Sequence, residues 1–168
     1  VNMMKSVIRI VFFVLIAGGI SCKTNPGIKS EKTEGGTTTT ISAGSLEQDI
    51  LREVNDYRKK KGLPALKANS VIATEASVHS QAMARKQVAF GHGGYGARVK
   101  RISQRLEGIV GSAENVAVGN MSAAEVVNRW INSPTHRKNI EGPYNLTGIG
   151  VSKDVTGRFY YTQLFIRK

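Results

Sequence analysis

The clearest chemical feature of this sequence is a histidine that follows a helix break, in the segment Ser133-Pro134-Thr135-His136. Ser133 can cap a helical turn, and Pro134 suits the first position of that turn because no N–H is needed there. His136 then lies in the first turn, where the positive end of the backbone dipole favours a neutral imidazole. A neutral imidazole binds metals and accepts protons. The alternative is that His136 is only a structural first-turn residue.

Two other histidines are candidates for chemistry. His79 shares a helical stripe with apolar residues, so we expect it to face the interior, either as a buried histidine bonded to the backbone or as a functional group. His92 lies in a glycine-rich loop, Phe90 to Gly96, where glycine permits sharp turns and close approach of the backbone. This loop lacks the lysine–hydroxyl pair of a phosphate-binding loop. Taken alone, His92 is an ordinary loop histidine.

Several common catalytic patterns are absent from the sequence. There is no His-Glu-x-x-His pair for a zinc protease and no Gly-x-Ser-x-Gly segment for a serine hydrolase. The one cysteine, Cys22, lies in a polar N-terminal stretch and is not a plausible nucleophile. A single cysteine also excludes an intrachain disulfide.

The helix before the Ser-Pro break has a clear predicted start. Ser122 and Glu125 have the spacing of a capping box, and Met121 with Val126 fits a hydrophobic staple. An apolar stripe at helical spacing follows, formed by Val126, Val127, Trp130 and Ile131. Glu125 could therefore act only as a helix cap, an interpretation that competes with any chemical role.

Three more helices are predicted upstream. The first begins with a capping box at Ser45 and Gln48 and ends at Gly62. The second begins at Asn69 or Ser70 and reaches about Val88. Its inward stripe consists of Ile72, Ala76, His79 and Met83. A third, short helix covers 98–106.

Two strands are predicted at the C-terminal end, over 146–152 and 158–166, joined by the turn 154–157 as an antiparallel hairpin. Both faces of the second strand are largely apolar, so it should be central, with helices on both sides. The segment 112–119, which contains Glu114 and Asn115, is too short to classify. Helices followed by an antiparallel hairpin predict an α+β fold, an α-β-α sandwich with a small antiparallel central sheet flanked by helices.

The N-terminus predicts export. Lys5 and Arg9 precede a short apolar run and then Ser21-Cys22, so residues 1–21 are predicted to be a signal peptide. The run is shorter than the roughly 20 residues of a membrane span. Its ending resembles a bacterial lipoprotein signal, with cleavage before Cys22 and acylation of the thiol, although Gly19 stands where that signal usually has leucine. The alternatives are an uncleaved anchor or an ordinary cleaved signal.

Residues 22–44 are predicted to be a lipid-anchored disordered tether with a span of about 25 Å. The folded domain then covers 45–168, held outside the cytoplasm at the cell surface or in the periplasm. The net charge of +12 indicates affinity for anionic membranes or cell-wall polymers. The basic residues are scattered and accompany no recognised nucleic-acid module, so nucleic acid is not an expected partner.

Seven segments in order resemble the bacterial branch of the CAP superfamily, also called the SCP domain, which includes cysteine-rich secretory, antigen five and pathogenesis-related proteins. The resemblance covers about Leu46 to Phe165. The segments are LREVNDYRKKKGLPAL, EASVHSQAMA, FGHGG, GSAENVAVG, VVNRWINSPTHRKNI, TGIGV and YYTQLF. Animal and plant members are held by disulfides, which this chain lacks.

The resemblance implies a cavity lined by two histidines and two acidic residues. The matching positions are His92, Glu114, Glu125 and His136. It also implies that zinc or another divalent cation could bind between His92 and His136. The resemblance further implies supporting roles for His79, Asn115, Trp130 and Gln163.

Three functions follow as expectations. The first is an exported, membrane-anchored binding module whose cavity takes a lipid, sterol, peptide or divalent metal. The second is a metal-assisted hydrolase with His92 and His136 as ligands and Glu114 or Glu125 as general base, since two imidazoles leave the coordination of zinc open. The third is a surface adhesion module that acts through its basic charge.

Overall fold

A computed structural model describes residues 43–168, so the predicted signal peptide, Cys22 and nearly all of the tether lie outside the described residues. In this part of the chain, no helix is both long and apolar enough to cross a membrane. The helices are α1 (Ala43–Lys60), α2 (Ser70–Ala84), α3 (Tyr95–Ser103), α4 (Ala123–Asn132) and α5 (Pro134–Ile140). The strands are β1 (Lys67–Ala68), β2 (Gly111–Gly119), β3 (Leu146–Lys153) and β4 (Phe159–Arg167).

Most predicted helices are present, with shifted ends. α1 begins at Ala43, so Ser45 lies inside its first turn and the capping box predicted there is wrong. The side chain of Asn69 accepts hydrogen bonds from two backbone N–H groups at the start of α2, as predicted. α2 stops at Ala84 and not near Val88, because the chain turns through Lys86 at a φ of 57°.

The start of α3 also differs from the prediction. This helix begins at Tyr95, three residues before the predicted Arg98, and ends at Ser103. Gly94 precedes it at a φ of 75°, a left-handed conformation that glycine adopts without strain. The glycine-rich loop is therefore shorter than predicted, and Arg98 lies within the helix instead of at its start.

The sheet confirms the predicted central hairpin and adds two strands. The strand order is β1-β3-β4-β2, with β4 antiparallel to both of its neighbours. The unclassified segment forms β2, an edge strand paired with β4 along its whole length. The two-residue β1 pairs parallel with β3, so the sheet is mixed at that edge and not purely antiparallel.

Helices cover both faces of the sheet, which confirms the α-β-α sandwich. On one face α1 and α4 pack against Tyr161 and Phe165 of β4. On the other face α2 and α3 pack against Leu164 and Ile166. The alternation of side chains along one buried strand therefore supplies both halves of the core.

Two glycines let α2 approach the sheet closely. A Cβ atom built on Gly148 would overlap the backbone of Ala73, and one on Gly150 would overlap the backbone of Ser77. The Gly-x-Gly pattern of β3 is therefore a packing requirement.

A buried arginine joins α1 to the segment between α5 and β3. Arg58, near the end of α1, donates to four backbone carbonyls through its guanidinium. These are Pro64 O at 2.8 Å, Ile140 O at 2.6 Å, Gly142 O at 3.0 Å and Tyr144 O at 3.2 Å. The guanidinium thereby supplies donors to carbonyls at the end of α5 and in the loop before β3, where Gly142 O also accepts from Tyr144 N at 2.8 Å.

Candidate functional site

A cavity of about 500 Å³ lies at the outer edge of β2, between that strand, the loop after α2 and the junction of α4 and α5. Its volume is within the range of about 300–1,000 Å³ that ligand pockets occupy. The residues that line it include Phe90, His92, Val118, Trp130, Ser133 and His136. Apolar groups form much of the wall, and both histidines of the predicted site face one space.

Glu114 holds His92 at this cavity. The Glu114 carboxylate is buried on β2 and forms a bidentate pair with Arg98, from Nε to Oε2 at 2.8 Å and from Nη2 to Oε1 at 2.8 Å. His92 Nδ1 lies 2.9 Å from Glu114 Oε1. Because a carboxylate accepts, Nδ1 carries the proton, and Nε2 of the half-exposed ring stays available to a ligand.

His79 supports the loop that carries His92. Arg98 Nη1 lies 3.1 Å from His79 Nδ1, and His79 Nε2 lies 2.8 Å from the Gly91 carbonyl. A guanidinium can only donate, so Nδ1 accepts and Nε2 donates to Gly91. Burial lowers the pKa of His79, the Gly91 carbonyl opposes that shift, and the Arg98 charge adds to it. His79 is therefore a buried neutral imidazole bonded to the backbone.

His136 reaches the cavity from the first turn of α5. Its Nδ1 lies 2.9 Å from Ser133 Oγ, and its carbonyl accepts from Asn115 Nδ2 at 3.2 Å. Burial lowers the pKa of His136, and so does the nearby His92. Pro134 occupies the first turn as predicted, but the Ser133 hydroxyl makes no cap bond because it pairs with the imidazole instead.

Glu125 lies at the start of α4, where it completes the predicted capping box. Its Oε2 accepts from Ser122 N at 2.7 Å and from Ser122 Oγ at 2.8 Å, and the first of these bonds is the main cause of its lowered pKa. The side chain is exposed and is not among the residues that line the cavity. The structure thus brings His92, Glu114 and His136 together and leaves Glu125 engaged as a cap.

The remaining supporting residues lie on or against the sheet. Trp130 Nε1 donates to Val116 O at 3.3 Å, and Asn115 Oδ1 accepts from Asn139 Nδ2 at 2.8 Å. Gln163 lies opposite Asn115 in the register, fully buried, and donates to Thr147 Oγ1 at 3.2 Å. Its Oε1 has no hydrogen-bond partner among the described residues.

Sequence reasoning missed two residues of this site, Arg98 and the hydroxyl of Ser133. Arg98 belongs to a short helix that also carries Lys100 and Arg101, so no periodic signal separates a buried cation from surface ones. Ser133 was assigned to a helix cap, and only the folded geometry shows its bond to His136.

The donor set limits what a metal site here can be. Among residues 43–168, no group of three or more His, Cys, Asp or Glu side chains is placed to hold a metal ion. Glu114 is committed to Arg98, which leaves the two imidazoles as donors. The residues present therefore fit an open site with two protein ligands and not a closed structural one.

Comparison with known proteins places these features in a family. The model of the cysteine-rich secretory protein family, CAP, matches residues 51–165. Two Bacillus subtilis proteins are similar in sequence. YkwD is 34% identical over 141 residues, which cover 83% of this chain and 54% of YkwD, and the membrane protein YlbC is 32% identical over 125 residues, which cover 73% and 34%. The chain thus spans about half of YkwD and a third of YlbC.

Solved structures share the fold. An extracellular SCP-domain protein from Bacillus anthracis has a TM-score of 0.63 at 28% identity, over 78% of this chain and 45% of that chain. A cysteine-rich secretory protein from Staphylococcus aureus has a TM-score of 0.64 at 24% identity, over 77% and 40%. An outer surface protein from Borrelia burgdorferi has a TM-score of 0.67 at 21% identity, over 76% and 96%.

Proposed function

The chain belongs to the CAP family of cysteine-rich secretory proteins, and from that premise we propose that it is an exported binding module. Its cavity between His92 and His136 takes a small ligand with an apolar body and a polar group. Lipids, sterols and peptides all meet that description. The extracellular location of the similar Bacillus anthracis protein supports export, as does the signal-like sequence of residues 1–21.

One observation carries this proposal, namely that both imidazoles are anchored through Nδ1 at a shared cavity. Glu114 occupies Nδ1 of His92, and Ser133 occupies Nδ1 of His136. Both Nε2 atoms therefore remain for a ligand, while Phe90 and Val118 supply apolar surface. Preorganised polar atoms beside an apolar wall are typical of small-molecule sites.

The hydrolase alternative lacks a carboxylate that could act as base. The bidentate bond from Arg98 occupies both oxygens of Glu114. Glu125 is occupied by Ser122 at the start of α4. A general base must reach the proton that it abstracts, and neither carboxylate is placed to do so. The geometry therefore favours binding over hydrolysis.

A ligand carried through purification tests the binding function. Mass spectrometry of the purified chain should detect a discrete bound species, and Phe90→Asp should remove it because a carboxylate then enters the apolar wall. Val155→Asp is the matched control, since Val155 is fully exposed in the β3–β4 turn and the species should persist. The proposal fails if nothing is bound, or if Phe90→Asp retains the species at the parent level.

A divalent ion such as zinc would be held by His92 and His136, with water or ligand atoms in the other positions. Bound there, it would act as a Lewis acid on a polar ligand group. Calorimetric titration with zinc should show one ion per chain, in a Cys22→Ala background that excludes the thiol. His92→Ala and His136→Ala should each weaken binding about tenfold or more. Unchanged affinity in both variants would exclude this site.

We also propose that Cys22 is lipidated and anchors the domain to a membrane. The signal-like run before Cys22 and the polar stretch after it support this role. After a wash in about 1 M salt, which screens the attraction between the basic chain and anionic lipid, Cys22→Ala should be lost from the membrane fraction. The parent chain should remain there and carry the added mass of a lipid. A parent protein recovered without that mass would rule the anchor out.

A further inference from the structure

Three side chains cover the outer edge of β2. Each donates to a backbone carbonyl that points away from β4, and the three carbonyls belong to alternate residues. The donors are Tyr144 Oη to Ser112 at 3.5 Å, Asn139 Nδ2 to Glu114 at 3.1 Å and Trp130 Nε1 to Val116 at 3.3 Å. In an antiparallel strand the N–H and C=O of one residue point to the same side and alternate along the chain. Residues 112, 114, 116 and 118 therefore direct their backbone groups outward.

For the outward carbonyls, this cover stops at the cavity. The next outward residue is Val118, and neither its N–H nor its C=O has a partner in the part of the chain that the structure describes, nor does the N–H of Val116. Val116 and Val118 both line the cavity between the histidines. The strand edge that borders the cavity thus carries two donors and one acceptor without a partner among the described residues.

The other edge of the sheet is covered in part. β1 pairs with the start of β3, and farther along β3 the outward N–H of Val151 donates to Glu47 Oε1 at 2.8 Å. Proteins usually cover strand edges, because unpaired backbone groups recruit other chains. An uncovered edge inside a ligand cavity is therefore a recognition surface.

We propose that the ligand is an extended peptide that pairs with β2 at Val116 and Val118. One peptide residue accepts from the N–H of Val118 and donates to its C=O, and the residue two positions away accepts from the N–H of Val116. Outward groups of Val116 and Val118 are about 6.6–6.8 Å apart, the repeat of an extended polypeptide. This inference rests on the proposed function of the cavity as a binding site.

The cavity wall indicates which peptides fit. Phe90 is 51% exposed and offers an apolar contact to one side chain. Arg129 also lines the cavity, and the one hydrogen bond of its guanidinium among the described residues is a weak contact with Met121 Sδ at 3.8 Å. A cation with so little pairing favours a carboxylate. We therefore expect a peptide that carries an apolar side chain and an acidic group or a C-terminal carboxylate.

Selection from a random heptapeptide display library on the full-length chain supplies the probes. Each selected peptide is synthesised again with one backbone amide N-methylated at a time. Methylation of the amide that donates to Val118 should weaken binding about tenfold, because the bound peptide then covers the carbonyl of Val118 without donating to it. Methylation of the two neighbouring amides, which point away from β2, should change affinity little.

Val118→Pro tests the same bonds from the protein side. Proline removes one outward N–H and is tolerated at a strand edge, so the fold should persist while peptide affinity falls about tenfold. Lys153→Pro is the matched control. Lys153 is two residues after Val151 on β3, so its N–H also points away from β4, and it lies away from the cavity. Peptide affinity should be unchanged in this variant. If Val118→Pro does not fold, the N-methyl series on the parent chain decides.

The outcomes separate this inference from the function on which it rests. Peptides that tolerate methylation at every amide would overturn edge pairing. If no peptide is selected but mass spectrometry finds a bound lipid or sterol, the peptide inference is wrong and the binding function stands. If neither class binds, both are wrong.

Discussion

At the scale of single residues, Arg98 organises the site without facing the ligand. Its guanidinium donates hydrogen bonds to the Glu114 carboxylate. Because a guanidinium cannot accept a hydrogen bond, His79 Nδ1 must accept one from it, and the proton of His79 lies on Nε2. A further bond to Gly93 O at 2.7 Å holds the loop that presents His92. One buried cation thus determines the positions of two histidines and a carboxylate.

Removal of this buried cation should lower the free energy of unfolding far more than removal of a surface cation. Arg98→Gln leaves Glu114 buried without its partner, and we expect a loss of about 3–5 kcal/mol in the free energy of unfolding. Arg101→Gln is the matched control, because its pair with Glu75 is half-exposed and should contribute only about 0–1 kcal/mol. Urea denaturation measures both values. Equal midpoints for the two variants would contradict this account of the site.

Two histidines, the buried His79 and the half-buried His136, make stability depend on pH. Burial lowers the pKa of His79 and of His136 below the usual 6.5, so the unfolded chain takes up protons that the folded chain does not. Their contribution is complete above about pH 6.5 and is lost as the pH falls toward the lowered values. Denaturation between pH 7.5 and 5 should show this decline, with a shallower slope in His136→Gln. Stability that rises on acidification would contradict the shifts.

At the scale of elements, the sequence predicts the features that depend on residues close together in the chain. The cap at Asn69, the capping box at Ser122, and the central position of β4 follow from neighbouring residues, and the structure confirms them. β2 has no such signal, because its segment mixes the polar pair Glu114-Asn115 with small residues. The partners of those two side chains lie 16 to 24 residues away, so no local period reveals them.

The contact between α2 and β3 should tolerate no added methyl group. Gly150→Ala would bring a Cβ against the backbone of Ser77, which cannot move without displacing the helix, and we expect a loss of about 1–3 kcal/mol or more. Gly96→Ala in α3 is the control. Its Cβ would meet nothing within 4 Å, and alanine should stabilise the helix by about 0.5–1 kcal/mol. Thermal unfolding of both variants checks this, and a neutral Gly150→Ala would refute the packing requirement.

At the scale of the whole molecule, the excess positive charge is the basis of the predicted adhesion function. With a net charge of +12, the Cys22→Ala chain should bind vesicles that contain anionic lipid even without an acyl anchor. Because screening shortens the range of these charges from about 10 Å at 0.1 M salt to about 3 Å at 1 M, sedimentation with vesicles should fall steeply as salt rises. Vesicles of zwitterionic lipid are the control. Salt-independent binding would speak against the adhesion function.

The hydrogen bonds from Arg58 to four backbone carbonyls have a consequence for folding kinetics. Three of the four acceptors lie 82, 84 and 86 residues further along the chain. These hydrogen bonds therefore form only after most of the intervening polypeptide is ordered. Contacts that form after the transition state affect the rate of unfolding more than the rate of folding. In stopped-flow measurements, Arg58→Met should therefore increase the unfolding rate constant and leave the refolding rate constant nearly unchanged. The contact between α1 and the segment from Ile140 to Tyr144 would then be broken before the transition state of unfolding is reached.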